Sequence, residues 1–353
     1  MRRLAVLLLA PALFAQPRLQ NARMETRAVS GTLDATFRSI VNGQNGAVWI
    51  GYAAPQIAGD RSMCCFNSID GVQYQGCTLE PRDASTTMQA AAPTGTIQLE
   101  GATEFFVFFR VENKQVAKVR TFSTECNIDA GGLPFVWLTG VNPAQSVGLL
   151  ESLVPSSDAR ADRKLANGAI SAIAMHRDPV ADMALDRLSA ATQPEETRRQ
   201  AAFWMGNARG RHGFESLQRI LRDDPSDRVR EHAVFALTQS KEPEAIPMVA
   251  RIAHDDKSTK VRSQALFWLA QRAGKQISEA AIRQAIDNDP ETQVKKKAVF
   301  ALTQMKNGDG VPLLIEIART NRNAVVRKEA MFWLGQSKDA RATQFFEELL
   351  VKR

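Results

Sequence analysis

REHAVFALTQ, residues 230–239, is one of five versions of a single ten-residue phrase. The others are RRQAAFWMGN at 198–207, RSQALFWLAQ at 262–271, KKKAVFALTQ at 295–304 and RKEAMFWLGQ at 327–336. Their phenylalanines, Phe203, Phe235, Phe267, Phe300 and Phe332, are 32, 32, 33 and 32 residues apart. A fixed period of that size marks a solenoid of stacked supersecondary units. Solenoids offer extended surfaces rather than catalytic pockets, so binding is the function class to expect.

Each phrase opens an amphipathic helix. In REHAVFALTQ and the residue before it, Val229, Ala233, Ala236 and Leu237 recur at helical spacing on one face. A polar or glycine-containing turn follows, then a second apolar helix over Glu244–His254, Glu279–Asp287 and Val311–Arg319. Pro247 and Pro312 fall in the first turns of these second helices, where a missing N–H is harmless. Asp or Asn clusters close the repeats: Asp223, Asp224 and Asp227, then Asp255 and Asp256, Asp287 and Asp289, Asn321 and Asn323. A degenerate copy, LANGAISAIAM at 165–175, precedes the five clear ones and makes six. Without the phenylalanine and the basic residue it suits a capping or junction unit.

The pattern Val229-Arg230, Ala233, Ala236-Leu237, a loop, then Ala245-Ile246-Pro247 resembles HEAT repeats of the short, phycobilisome-lyase-like type. The resemblance covers about residues 165–352. It implies that the first helix of each repeat lies on the convex side and the second lines the concave side. Proteins of this class are scaffolds, adaptors and a few enzymes.

Three registers run through the repeats. Arg219, Arg251, Arg283, Glu316 and Glu348 recur on the second helices, away from the apolar faces. By the family geometry they line a concave groove, basic and then acidic, suited to a protein partner with an acidic segment. The phenylalanines form a ladder on the first helices, with Trp204, Trp268 and Trp333 beside every other one and Ala236 and Ala301 between. Large against small in successive units indicates inter-repeat packing and a duplication unit of two repeats. The residues opening the phrases, Arg198, Arg230, Arg262, Lys295 and Arg327, are expected to pair with the Asp and Asn clusters as an inter-repeat ladder.

Upstream the texture changes. Arg2 and Arg3, the apolar run at residues 4–10 and small residues at Ala12 and Ala15 read as a secretory signal peptide over residues 1–15. No other stretch approaches the length of a membrane span. Residues 24–150 are expected to form a β-rich domain, with strands at 47–53, 95–99, 104–111, 116–122 and 135–139 and a turn at 112–114. EFFVFFRV at 104–111 is apolar on both faces, as a central strand is. Asp70 and Asp129, beside glycines, read as turn residues, and Trp49, Tyr52 and Trp137 as core. A linker is expected at 151–160 and the solenoid at 161–353. The fold class is thus α+β in two domains, a small disulfide-stapled β domain followed by an all-α superhelical solenoid.

The four cysteines, Cys64, Cys65, Cys77 and Cys126, all lie in the first half. In an exported chain they read as two disulfides, with the adjacent Cys64 and Cys65 paired separately to Cys77 and Cys126. The chain carries a net charge of +7. Residues 197–353 hold 28 basic and 19 acidic side chains, so the excess sits in the repeats.

No phosphate-binding loop, nucleophile elbow or H-E-x-x-H occurs. Hydroxylases of the HEAT class hold iron with His-Glu pairs. Here His176, His212, His232 and His254 are each followed by something else. No metal, cofactor or catalysis is expected, and export argues against nucleic acid. The expectation is a non-catalytic exported scaffold, periplasmic or secreted, binding a protein partner. The alternatives are binding of an anionic envelope polymer through the basic repeats, or an enzyme or ligand site in the β domain.

Overall fold

The computed structural model describes residues 17–59, 62–69, 72–80, 103–157 and 160–351 of the chain. The expected signal peptide, the strand at 95–99 and Asp70 lie outside them. The chain divides into two compact units, residues 1–184 and 185–353.

In the first unit the elements run β1 (Leu19–Gln20), β2 (Arg23–Ala28), α1 (Leu33–Gly43), β3 (Val48–Pro55), β4 (Phe66–Ile69), β5 (Val72–Gln75) and β6 (Cys77–Thr78). Then come β7 (Glu104–Glu112), β8 (Gln115–Ser123), β9 (Ile128–Asp129), β10 (Pro134–Thr139), α2 (Pro143–Ser152) and α3 (Arg160–Met175). A five-stranded mixed sheet has the order β2-β10-β3-β7-β8, parallel across its first three strands and antiparallel thereafter. The β7–β8 turn places Asn113 and Lys114 at positive φ, as a two-residue type I′ hairpin requires.

Alternation along β7 explains EFFVFFRV. Phe105 and Phe109 face the helices: Phe109 meets Phe37 of α1 at 4.9 Å, and Phe105 meets His176 after α3 at 5.1 Å. Phe106 and Phe108 face the opposite layer, a buried cluster with Trp49, Phe122, Phe135, Trp137, Cys77 and Cys126. Both disulfides sit in that layer, Cys64 with Cys126 and Cys65 with Cys77. β7 is therefore central, and its two apolar faces serve two cores.

A buried polar chain fastens the helices to the sheet. Tyr52 and His176 both hydrogen-bond Ser146 Oγ, at 2.6 and 2.8 Å, and His176 Nδ1 lies 2.7 Å from Ala172 O. If Nδ1 carries the proton, Ser146 donates to Nε2 and accepts from Tyr52, so every member is satisfied. Asp129 accepts from Gly131 N and from Asn21 Nδ2, which is the turn role expected of it.

The expected boundary near residues 151–160 is not where the units divide. α3, which carries the degenerate copy at 165–175, packs on β8. Gly168 approaches so closely that a Cβ there would lie 2.4 Å from Val119 O. The apolar face of this copy covers the sheet, and the division falls at Ala184/Leu185, inside α4 (Val180–Leu188).

The second unit continues with five helix pairs: α5 (Glu195–Ala208) and α6 (Gly210–Asp223), α7 (Asp227–Leu237) and α8 (Ala245–Asp255), α9 (Thr259–Arg272) and α10 (Lys275–Asn288), α11 (Thr292–Leu302) and α12 (Val311–Thr320), α13 (Ala324–Gln336) and α14 (Ala340–Val351). The first helices pack side by side in the order α5, α7, α9, α11, α13. Val229, Ala233, Ala236 and Leu237 are fully buried between neighbours. First helices alternate in length. α7 and α11 stop after 11 residues, where Thr238 and Thr303 donate their hydroxyls to Phe235 O and Phe300 O. α5, α9 and α13, the tryptophan-bearing ones, run to 13 or 14. The structural period is two repeats.

In the first unit, a Cβ on Gly51 would stand 2.7 Å from Phe108 and 2.8 Å from Phe135. Gly51→Ala should cost roughly 1–3 kcal/mol by overpacking. Gly46→Ala, with nothing within 4 Å of its Cβ, should leave chemical denaturation nearly unchanged.

Candidate functional site

The repeats are joined by buried ion pairs. Arg198, Arg230 and Arg262 each grip one carboxylate through Nε and Nη2: Asp224 at 2.9 and 3.3 Å, Asp256 at 3.0 and 3.2 Å, Asp289 at 2.8 and 3.0 Å. Each aspartate ends a second helix and also accepts the backbone N–H two residues on, from Ser226, Ser258 and Glu291. Its carbonyl takes part as well, since Arg230 donates to Asp224 O and Arg262 to Asp256 O. The result is a continuous row, Arg198–Asp224–Arg230–Asp256–Arg262–Asp289. Arg230 is 1% exposed. Burial works against its charge, yet Asp256 and Asp227 hold its pKa above the usual guanidinium value.

The row stops at the next junction. Lys295 donates to Asp287 O, at 2.9 Å, and has no carboxylate partner among the described residues; its counterpart is the neutral Asn321. Arg327 bonds Asn321 O and Arg322 O and has no carboxylate partner among the described residues. Lys295 and Asn321 carried this signal in the sequence, legible only once Arg–Asp pairing defined the rung.

The second-helix register is largely paired as well. Arg219 meets Asp186 of α4 at 2.9 Å, and Arg283 grips Glu316 at 2.6 and 2.9 Å. Glu348 accepts from Arg319 at 2.5 Å. Arg219 and Arg283 stay half exposed at 50% and 49%. Arg251 is exposed and has no carboxylate partner among the described residues, its Nη2 resting 3.5 Å from Met248 Sδ. The charges of this register are thus mostly neutralised by a neighbouring repeat. Asp186, which also accepts from Ser216 at 2.7 Å and lies 3.1 Å from His212, was not singled out in the sequence because it falls in a copy lacking the phrase.

Clefts open in the α4–α6, α8–α10 and α10–α12 gaps between second helices. The first, with Asp186 facing Arg219, holds about 410 Å³. The second, with Ala250 and Gln284 at those positions, holds about 40 Å³. The third, with Arg283 facing Glu316, holds about 430 Å³. Polarity reverses from first to third, acid-then-base to base-then-acid.

The aromatic residues form a ribbon along the first helices. Phe203 stacks on Phe235 at 6.1 Å and Phe267 on Phe300 at 6.4 Å. Trp268 and Trp333 reach back to Phe235 and Phe300 at 4.7 and 4.9 Å. The rings pack between repeats and stay partly exposed, Phe332 most at 55%. His232 sits among them, 5.9 Å from Phe235, and burial and then Arg199 push its pKa down.

Among the described residues one group of three His, Cys, Asp or Glu donors lies within metal-binding reach, Cys64, Glu125 and Cys126, and its two sulfurs are bonded to each other. No helix among them is long and apolar enough to cross a membrane.

Residues 181–270 and 279–353 match the family model for HEAT repeats. Solved structures similar to the chain include human deoxyhypusine hydroxylase in complex with glycerol, at 19% identity over 57% of this chain and 77% of that one, TM-score 0.30. Another is the CpcE–CpcF complex of phycocyanin lyase from a Nostoc species, at 19% identity over 55% and 76%, TM-score 0.31. No curated protein matches the chain.

Arg230→Met strands a buried carboxylate and should cost roughly 3–5 kcal/mol. Arg327→Met loses only hydrogen bonds to carbonyls and should cost about 1 kcal/mol. Urea denaturation of the two variants beside the parent checks the contrast.

Proposed function

We propose that this chain, whose residues 181–353 are HEAT repeats, is an exported scaffold that binds a protein partner along the second-helix face. The observation that carries the reading is the pair of open clefts between second helices whose polarity reverses from the α4–α6 gap to the α10–α12 gap. A surface that repeats in shape but varies in charge can fix the register of an extended partner. The resemblance to the family implies that this face is the concave one, and solenoid repeats commonly serve protein interaction. Two disulfides suit an oxidising compartment, as the apolar leader at residues 4–10 does.

An anionic polymer is the alternative, since the three ladder arginines are matched one for one by aspartates and the excess positive charge of the repeats lies outside them. Arg198, Arg230 and Arg262 already hold carboxylates and cannot present their charge outward.

Capture from the envelope fraction, followed by affinity measurement with the captured protein, tests the reading. Changing Arg219, Arg251 and Arg283 together to Ala should weaken binding at least tenfold. Exposed pairs contribute about 0–1 kcal/mol each, so the variant should melt within about 5 °C of the parent. Unchanged affinity overturns the assignment to this face. Steep salt dependence with no preference among acidic partners would point to a polymer instead.

A further inference from the structure

At the fourth junction both members of the rung change together, and the change alters the chemistry of the cleft beside it. In the preceding rungs an aspartate divides its carboxylate: Oδ1 accepts a backbone N–H and Oδ2 meets the arginine Nε. Asn321 keeps the first task, since its Oδ1 accepts from Asn323 N at 2.9 Å. Its Nδ2 therefore stands where the other carboxylate oxygen would be, a donor in place of an acceptor. Lys295 lines the same cleft with three more donors, one of which bonds Asp287 O. Both members of this rung bring donors, and neither supplies a carboxylate.

The same place is open. Lys295 and Asn321 line the cleft of about 430 Å³, and Arg322 adds a second cation to its wall. The equivalent clefts hold about 40 Å³ beside the complete Arg262–Asp289 rung and about 410 Å³ beside the complete Arg198–Asp224 rung, so what sets the fourth apart from both is its donors and not its volume. Two carboxylates lie in the open cleft's wall. Glu316 is held bidentately by Arg283, which lowers its pKa. Asp287 is exposed and opposes an incoming anion, against Lys295 and Arg322 favouring one.

We propose that this cleft binds a carboxylate from outside the chain, an acidic side chain or a C-terminus of the protein partner, which completes the fourth rung. The other rungs supply the reason for a carboxylate: a planar pair of oxygens occupies this place three times over. The inference rests on the second-helix face being the partner surface and adds what the partner brings to it.

Three peptides test it by titration calorimetry at low salt: acetyl-Gly-Ser-Gly-Glu-amide, acetyl-Gly-Ser-Gly-Gly with a free C-terminus, and neutral acetyl-Gly-Ser-Gly-Gln-amide. At least one of the first two should bind and the third should not, and which one binds identifies the source of the carboxylate. Asn321→Asp supplies the missing acceptor internally and should weaken binding at least tenfold while raising the melting temperature. Lys295→Met should abolish it with little change in melting. The proposal is overturned if neither carboxylate peptide binds at millimolar concentration, if the neutral one binds equally, or if Asn321→Asp leaves affinity unchanged. Partner capture that still depends on Arg219, Arg251 and Arg283 would then leave the scaffold reading standing without this site.

Discussion

A carboxylate buried at three successive repeat junctions is the constraint around which the solenoid is arranged. Asp224, Asp256 and Asp289 would each be costly to bury alone. Each becomes tolerable because a guanidinium meets both of its oxygens and a backbone N–H caps one of them. The planar fork of arginine can do this while a third nitrogen reaches the carbonyl of the preceding junction. Lysine cannot, and the one lysine in the series faces the one neutral partner, Asn321. The spacing of the helix pairs follows from these rungs, and the charge available to the outside is what they leave over.

The ladder shows that a count of basic residues does not locate the charge a partner would meet. The buried rungs are neutral as pairs, and other arginines are matched from one repeat to the next, as Arg283 is by Glu316 and Arg319 by Glu348, so the excess positive charge rests on the remaining basic side chains. Arg251 stands out because no such match reaches it. The aromatic ribbon uses the opposite chemistry to the same end. Trp268 and Trp333 lean back onto the phenylalanine of the repeat before, while fully buried Ala236 and Ala301 let neighbouring helices approach.

The repeats were legible because five copies average out the noise of any one. The phenylalanine period, the helix pairs and the need of the phrase-opening arginines for acidic partners could all be read from residue spacing. The pairing of Arg219 and Arg283 could not, since it depends on which second-helix residues of adjacent repeats lie side by side. The first unit was legible where a strand is extreme, as β7 is with its run of phenylalanines. β2 gave no signal because RMETRA is polar and exposed on both faces. α1 did carry one, with Leu33, Phe37, Ile40 and Val41 at helical spacing behind a Thr32 cap, but the surrounding Gly, Thr and Val texture masked it. The copy at 165–175 looked like a repeat because its apolar face has the right period. Periodicity cannot say whether that face meets another helix or a sheet.

The disulfide layer has a consequence for the covalent integrity of the first unit. Cys64 and Cys126 are 62 residues apart and enclose β7, the strand on which both cores are built. A protease that cuts the backbone anywhere in that interval leaves two fragments tied by sulfur. The nicked molecule keeps its mass until a reductant separates the pieces, so damage inside this loop is hidden in an oxidising compartment and revealed in a reducing one.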